Sequence, residues 1–349
     1  MTTALLGAVR AHAQTWRPYT LWYIGLVGLA GAGLTDGAHP VWRLVVAWGT
    51  PTIGWIGGHY LSDYFDRRLD AVSKPHRPIP SGRLRPATAL RSGVACLLVV
   101  AALATVSGVW TLLVAVAAAA AIVAYGRGLK ARGLAGNLVR GALGALTLAY
   151  GVAVAGPPMH WWVLLFVAAF WAHDSSSNLV GTLRDIAGDR AGGYHTLPVR
   201  HGNRVAVGAA AGLFALAVVA AGAGGWFVRD AVARVVFLAG LAVAATLGVL
   251  ALRIVALDVT VMSMGAALHA HEVLVLERVW FAATVVALGL GPLVALAVAV
   301  PMLTITWWAQ RNLRAAYEFG PTRTPTDAAP GARATVVAAP PIRRPSEPH

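Results

Sequence analysis

TALRSGVACLLVVAALATVS (residues 88–107) is followed, after a single glycine, by VWTLLVAVAAAAAIVAY (residues 109–125). Each stretch approaches the roughly 20 apolar residues with which an α-helix crosses a bilayer. Comparable runs fall near 19–34, 42–61, 134–155, 160–182, 204–227, 231–251 and 279–309, which makes nine. Residues 252–278 are also apolar but are interrupted by Asp258, Glu272 and Glu277, so eight or ten spans fit the pattern as well. The 349 residues are 58% apolar and 12% charged, about half the charge of a typical soluble chain. The fold class is therefore all-α, a polytopic membrane protein.

No soluble domain fits between the runs, so residues 1–314 read as one transmembrane domain. Residues 315–349 are rich in Pro, Ala, Thr and Arg without helical periodicity, the composition of a disordered tail. The lone Cys96 excludes an intrachain disulfide and a cysteine metal cluster. The apolar stretch Ala4–Val9 is shorter than a secretory core of about 7–15 residues, so no cleaved signal is expected. Lys and Arg in short loops stay cytoplasmic. The connections holding Arg67 to Arg91, Arg127 to Arg132 and Arg184 to Arg204 are basic, whereas the alternate ones hold only Arg43, Arg229 and Arg234. The expectation is a multi-pass cell-membrane protein with its N-terminus and basic loops toward the cytoplasm. Nine spans would put the arginine-bearing tail on the opposite side, and an even number would bring it back. No feature calls for a nucleic-acid partner, and the oligomeric state stays open.

Six of the fourteen acidic residues sit in two short segments on the basic side. The first is Ser62-Asp63-Tyr64-Phe65-Asp66-Arg67-Arg68-Leu69-Asp70, and the second runs from Asp174 through Asn178 and Arg184 to Asp185 and Asp189. On a continuing helix, Ser62, Asp66 and Asp70 share one face. Asp174, Asn178, Asp185 and Asp189 likewise form one stripe. A carboxylate in a span costs about 2.5–3.5 kcal/mol on insertion scales, so these acids need partners. Hard oxygen ligands at i and i+4 suit Mg²⁺, which takes one or two carboxylates and fills its octahedron with water and phosphate oxygens. The interleaved arginines, Arg184 among them, add a positive field for the same phosphates. Asp66, Asp70 and His76 recur at one constant interval as Asp185, Asp189 and His195, a hint of two similarly built halves.

These segments resemble the two aspartate-rich motifs of the UbiA superfamily of intramembrane prenyltransferases. Ser62 to Asp70 matches Asn-Asp-x-x-Asp-x-x-x-Asp with serine in place of asparagine, and Arg77 to Arg83 resembles the stretch that follows it. Asp185 and Asp189 match Asp-x-x-x-Asp, and Arg190 to Val199 resembles the family's downstream segment. Tyr125, Leu129, Lys130, Gly136 and Asn137 resemble the segment between the two. The resemblance implies nine helices around a central cavity that opens sideways to lipid, with both motifs at its cytoplasmic mouth. It also implies transfer of an isoprenoid chain from a prenyl diphosphate to a small aromatic or other electron-rich acceptor, with Mg²⁺ as cofactor. Asp66 and Asp70, with Asp63 nearby, would hold one ion, and Asp185 and Asp189 the other. Arg77, Lys130 and Asn137 would contact diphosphate. Ser62 reaches less far than the family's amide, and Arg17 resembles a position near the acceptor. Asp174, the acid without a metal role, is the candidate for orienting the acceptor or taking its proton. Tyr60, Tyr64, Phe65, Phe166, Phe170 and Trp171 are candidates for a cation-stabilising wall.

Two other readings use the same residues. A UbiA-type terpene cyclase would ionise the diphosphate without an acceptor. A divalent-cation transporter would line a pore with its acids, but pore acids should run between both faces, and these cluster toward one. The Asp-Gly-x-x-Ala-Arg sequence of CDP-alcohol phosphatidyl transfer is missing.

Overall fold

The computed structural model describes residues 2–36, 39–157, 159–314 and 317–318. A first helix α1 (Thr2–Trp16) precedes ten long helices: α2 (Pro18–Gly33), α3 (Val41–Ser73), α4 (Pro86–Ser107), α5 (Val109–Arg127), α6 (Gly133–Ala155), α7 (Val163–Arg184), α10 (Asn203–Trp226), α11 (Ala231–Leu257), α12 (Met264–Leu290) and α13 (Pro292–Ala309). Two short helices, α8 (Ile186–Ala191) and α9 (Leu197–His201), lie between α7 and α10 on either side of a two-residue strand β1 (His195–Thr196).

Seven of the long helices are apolar enough to cross a membrane by length and composition alone. The three that fall short, α2, α3 and α7, are flanked by Arg17 or carry the acidic segments. They are held by packing instead. Thirteen of the sixteen residues of α2 are buried, whereas α5 buries only Thr111 and Ala115. The main core joins Ile24, Leu26 and Val27 of α2 to Leu148 of α6, Phe166 and Phe170 of α7, Phe237 of α11 and Phe281 of α12. In lipid there is little hydrophobic drive between helices, so small residues that let backbones approach supply much of the association. Gly151 of α6 shows this: a Cβ there would lie 1.9 Å from the Gly28 carbonyl oxygen of α2.

The C-terminal part differs from the nine-run reading. The run 279–309 is two helices, because Gly291-Pro292 breaks it and proline cannot extend the preceding backbone ladder. The interrupted stretch before it supplies the first half of α12, capped by Ser263, whose hydroxyl accepts from the Ala266 N–H at 3.0 Å. The number of long helices is therefore ten among the described residues. Their ends agree: Arg17 before α2, Lys74 after α3, Lys130 after α5, Arg184 at the end of α7 and Glu318 beyond α13 line one cavity, so the chain returns to the side from which α2 sets out. The expected tail 315–349 lies outside the described residues except for Tyr317 and Glu318, which are buried. Trp42, Trp110, Trp161 and Trp226 are exposed at helix ends on the opposite side, the placement of an interfacial aromatic belt.

Gly151→Val is expected to force α2 and α6 apart and to destabilise the protein by about 1–3 kcal/mol. A lowered unfolding midpoint in detergent would show it.

Candidate active site

α3 runs past the other helices as far as Ser73, which carries Ser62, Asp66 and Asp70 along one face into a cavity of about 370 Å³. Asp63 faces elsewhere: it is buried and bonded to Arg17 and to the Tyr317 hydroxyl, the latter at 3.0 Å. The expected single stripe on α7 is broken. The helix ends at Arg184, Asp185 caps it, and α8 restarts the chain, closed by the Asp189 N–H donating to the Asp185 carbonyl at 2.8 Å. Asp174, Asn178, Asp185 and Asp189 all line the cavity despite the break. Beyond α8, His195 and Thr196 bridge in parallel to Arg132 and Gly133. This bridge ties the Asp189 turn to the Lys130 turn.

The mouth is a lattice of opposite charges. Lys130 Nζ donates to Asp66 Oδ2 at 2.6 Å, and the Ser62 hydroxyl donates to the same oxygen at 3.4 Å. Arg77 Nη1 donates to both oxygens of Asp70 at 2.9 and 3.0 Å. Asp185 accepts from Lys74 at 2.9 Å and from Arg184 at 2.8 Å. Glu318 reaches in from beyond α13 to Lys74 at 2.9 Å, Arg184 at 2.9 Å and Arg77 at 3.6 Å. Arg17 is the one non-glycine residue with positive φ among the described residues, at 50°. That conformation costs about 1–3 kcal/mol, and here it accompanies the bonds to Asp63 and Tyr317.

Five of the expected binding residues, Ser62, Arg17, Arg77, Lys130 and Arg184, line the cavity. Asn137 does not; its amide donates to Asn178 Oδ1 at 2.9 Å and acts on the cavity only through that partner. None of the six aromatic residues chosen from the sequence lines it. Tyr60 instead accepts from Trp16 at 2.7 Å, and Phe166 and Phe170 lie in the core. Tyr19, Trp55 and Tyr125 supply the aromatic lining. Lys74, Glu318, His271, Arg140 and Arg278 also line the cavity and escaped the sequence reading. Lys74 carried a signal, being the first base after the acidic helix. His173, the neighbour of Asp174 on α7, pairs with Glu277 of α12 at 2.8 Å.

Residues 21–267 match the model of the UbiA prenyltransferase family. The chain belongs to this family. It is 33% identical over 204 residues to the digeranylgeranylglyceryl phosphate synthase of Halobacterium salinarum, covering 58% of this chain and 73% of that one. It is 35% identical over 217 residues to the synthase of the same name from Methanopyrus kandleri, covering 60% and 76%. The fold is also that of a UbiA homologue from Archaeoglobus fulgidus bound to GPP and Mg²⁺, with a TM-score of 0.58 at 14% identity over 79% of this chain and 99% of that one. The chain is thus a UbiA-type prenyltransferase built as a multi-pass membrane protein, as the motifs implied.

The donor set suits a hard divalent ion: four carboxylates, all facing the cavity, with no sulfur. Among the described residues, however, no three acidic, histidine or cysteine side chains converge as a ready-made metal site. Lysine and arginine occupy three of these carboxylates, Asp66, Asp70 and Asp185, instead. Around the mouth five cations, Arg17, Lys74, Arg77, Lys130 and Arg184, face six acids, Asp63, Asp66, Asp70, Asp185, Asp189 and Glu318. The balance is slightly negative, and divalent ions together with a diphosphate could enter it as a compensating set. Burial works against the Asp185 charge, but Arg184 and Lys74 hold its carboxyl well below the usual range. Asp189 has no ion-pair partner among the described residues and only Thr196 as a side-chain donor, at 3.2 Å. Burial and the neighbouring Asp185 charge raise its carboxyl to about 6.

Because the fold raises this pKa, it binds the Asp189 proton more tightly than the unfolded chain does. That contribution to stability is present below the ordinary carboxylate pKa and is lost as pH rises through about 6. A metal held by Asp189 would have the opposite dependence, since it needs the carboxylate. Stabilisation of the protein by Mg²⁺ is expected to fall as pH drops from 7 to about 5, and Asp189→Asn should remove that inflection. Thermal unfolding with and without Mg²⁺ across this range checks both.

Proposed function

We propose that the chain transfers an isoprenoid group from a prenyl diphosphate to a small acceptor in an Mg²⁺-dependent reaction, at a mouth facing the cytoplasm. The observation that carries this reading is the convergence of Asp66, Asp70, Asp185 and Asp189 with Lys74, Arg77, Lys130 and Arg184 on one cavity. In the family's fold, such a set answers the main physical problem of the reaction, the negative charge that develops on departing diphosphate.

Asp66 and Asp70 from α3, and Asp185 and Asp189 from the α7–α8 turn, would hold the metal, with Asp63 acting behind them through Arg17. Bound Mg²⁺ supplies Lewis-acid neutralisation of the diphosphate oxygens. Lys130, Arg77, Lys74 and Arg184 exchange their carboxylates for diphosphate oxygens and hold the leaving group in register. Glu318, which reaches three of these cations, leaves them as diphosphate arrives. Trp55, Tyr19 and Tyr125 present ring faces to the allylic carbon as it becomes cationic, attracting the charge without adding to it. The same rings exclude the water that would trap it as an alcohol. The acceptor attacks that carbon, the carbon–oxygen bond breaks with its electron pair on diphosphate, and the acceptor's proton leaves toward Asp174.

The acceptor class is an aromatic ring or another electron-rich nucleophile. The two named relatives support the wider class, since their name specifies a glyceryl phosphate product. The cytoplasmic orientation is supported by the basic loops that lie on the mouth side.

Asp66→Ala and Asp185→Ala are each expected to lower turnover by about 100-fold or more while leaving folded protein. Each removes a ligand from a different side of the mouth. The assay is labelled prenyl diphosphate with an acceptor panel, and full turnover in both variants would be incompatible with the site. A hydrocarbon product from donor alone would instead favour cyclisation.

Glu318→Ala removes an acid that competes with diphosphate for three cations. It is expected to tighten binding of a prenyl thiodiphosphate several-fold, measured by calorimetry in the presence of Mg²⁺.

A further inference from the structure

Beyond α13 the chain folds back over the mouth. A π-helical turn, Gln310–Arg314, follows the helix, and Tyr317 and Glu318 come three and four positions after it. All of them lie beyond residues 21–267, the part that matches the family model. Arg314 anchors the turn. It is fully buried, and its guanidinium donates to Gln310 Oε1 and to His271 Nδ1 of α12, both at 2.6 Å. The Tyr317 ring is flanked by two arginines, 4.8 Å from the Arg17 guanidinium carbon and 4.4 Å from that of Arg77. Its hydroxyl donates to Asp63 at 3.0 Å, and its carbonyl accepts from His76 Nε2 at 2.9 Å.

Glu318 completes the fold-back. It is 5% exposed and lines the cavity, with Oε1 on Arg184 at 2.9 Å and Oε2 on Lys74 at 2.9 Å and Arg77 at 3.6 Å. Burial works against its charge, but Arg184, Lys74 and Arg77 hold the carboxyl well below the usual range. The three cations come from the end of α3, the loop after it and the end of α7, so one carboxylate bridges segments that are separate in sequence. Two oxygens on one centre, shared among lysine and arginine donors, are also what a phosphoryl group presents. The two anions compete for these donors, because like charges a few ångströms apart repel strongly where water is excluded.

We infer that Tyr317 and Glu318 form a tethered competitor of the donor, which occupies the mouth in the resting protein and leaves it as a unit before a diphosphate enters. The inference rests on the transfer reading above for the identity of the ligand, and it adds regulation of the same site. Glu318 takes the cations, and Tyr317 is the positioning residue that holds Glu318 there through Arg17, Arg77 and Asp63. Arg314 stays behind as the anchor. A competitor on a short tether faces its site at about millimolar effective concentration, so weak contacts suffice to keep the mouth closed. The apparent affinity for diphosphate is then the intrinsic one scaled by the open fraction. Every contact that holds the segment down therefore weakens donor binding, including the Tyr317–Asp63 bond, which involves no cation.

The test is hydrogen–deuterium exchange on the full-length protein in detergent, read by mass spectrometry in peptides that contain Tyr317 and Glu318. Exchange is measured without ligand, with inorganic diphosphate and Mg²⁺, and with geranyl thiodiphosphate and Mg²⁺. A displaced competitor gives exchange about threefold or more faster with at least one of the two ligands. A lid that closes on its substrate gives slower exchange. Tyr317→Leu leaves Glu318 in place, yet it should speed exchange without ligand and tighten thiodiphosphate binding about threefold or more by calorimetry. Tyr317→Phe, which keeps the ring, should do the same to a smaller degree, and it carries the test if the leucine variant does not fold. Slower exchange on ligand binding, exchange unchanged by both ligands, or thiodiphosphate binding that the Tyr317 variants weaken or leave unaltered overturns the competitor. The transfer reading fails separately: absence of any prenylated product from labelled donor and the acceptor panel sinks it, while exchange with inorganic diphosphate still decides the role of the segment.

Discussion

Charge compensation in a medium of low dielectric constant is the condition that organises this molecule. The desolvation cost of a buried ion is several kcal/mol, and it is recovered only when the partner sits in good geometry. Asp66, Asp70 and Asp185 each have a lysine or arginine within 3.0 Å. Lys130 for Asp66, Lys74 for Asp185 and Lys74 for Glu318 are distant in sequence from the acids they meet, so the need to pair acids draws the ends of α3, α5, α7 and α13 to one mouth. The rest of the architecture supports that convergence. Helices too polar to face lipid occupy the centre, and apolar helices such as α4 and α5 shield them.

The same arrangement explains how one cavity can serve two demands. A site for diphosphate needs cations, and a site for metal needs carboxylates, but either set alone would be expensive inside a bilayer protein. Pairing them with each other holds both in neutralised form, and on the proposed reading substrate with its metal would exchange partners rather than create new charge. Asp189 stands apart from the paired acids, held by one threonine hydroxyl. On the proposed reading it would be the carboxylate most easily recruited, because no ion pair has to open first.

What the sequence disclosed follows the physics of one helix at a time. Apolar length revealed the membrane class, and the four-residue spacing placed Ser62, Asp66 and Asp70 on one face, where the structure has them. Local pattern does not report which helix lies alongside. The aromatic residues nearest the motifs in sequence were therefore the wrong ones, and Trp55 and Tyr19 arrive from other turns and another helix. A break such as Asp185 is set by the loop that packs on it, so the stripe through α7 and α8 looked continuous. Gly291-Pro292 inside an apolar run was a visible stop that hydropathy averaging hid. Arg140 and Arg278 stand within apolar stretches, and only the fold shows that both line the cavity. Glu318 lay past the last span in a segment whose composition resembled a tail.

The His173–Glu277 pair bears on how the protein is made. Its members are 104 residues apart and fully buried on α7 and α12. At about 5–20 residues per second, roughly 5–20 s of synthesis separate their emergence from the ribosome. During that interval α7, with its histidine, serines and Asp174, has no such counterpart in α12. Until then α7 has α6, its packing partner made earlier, against which to hold that polar face. The polar contacts of α7 with α12 are therefore completed only by a helix that is made late.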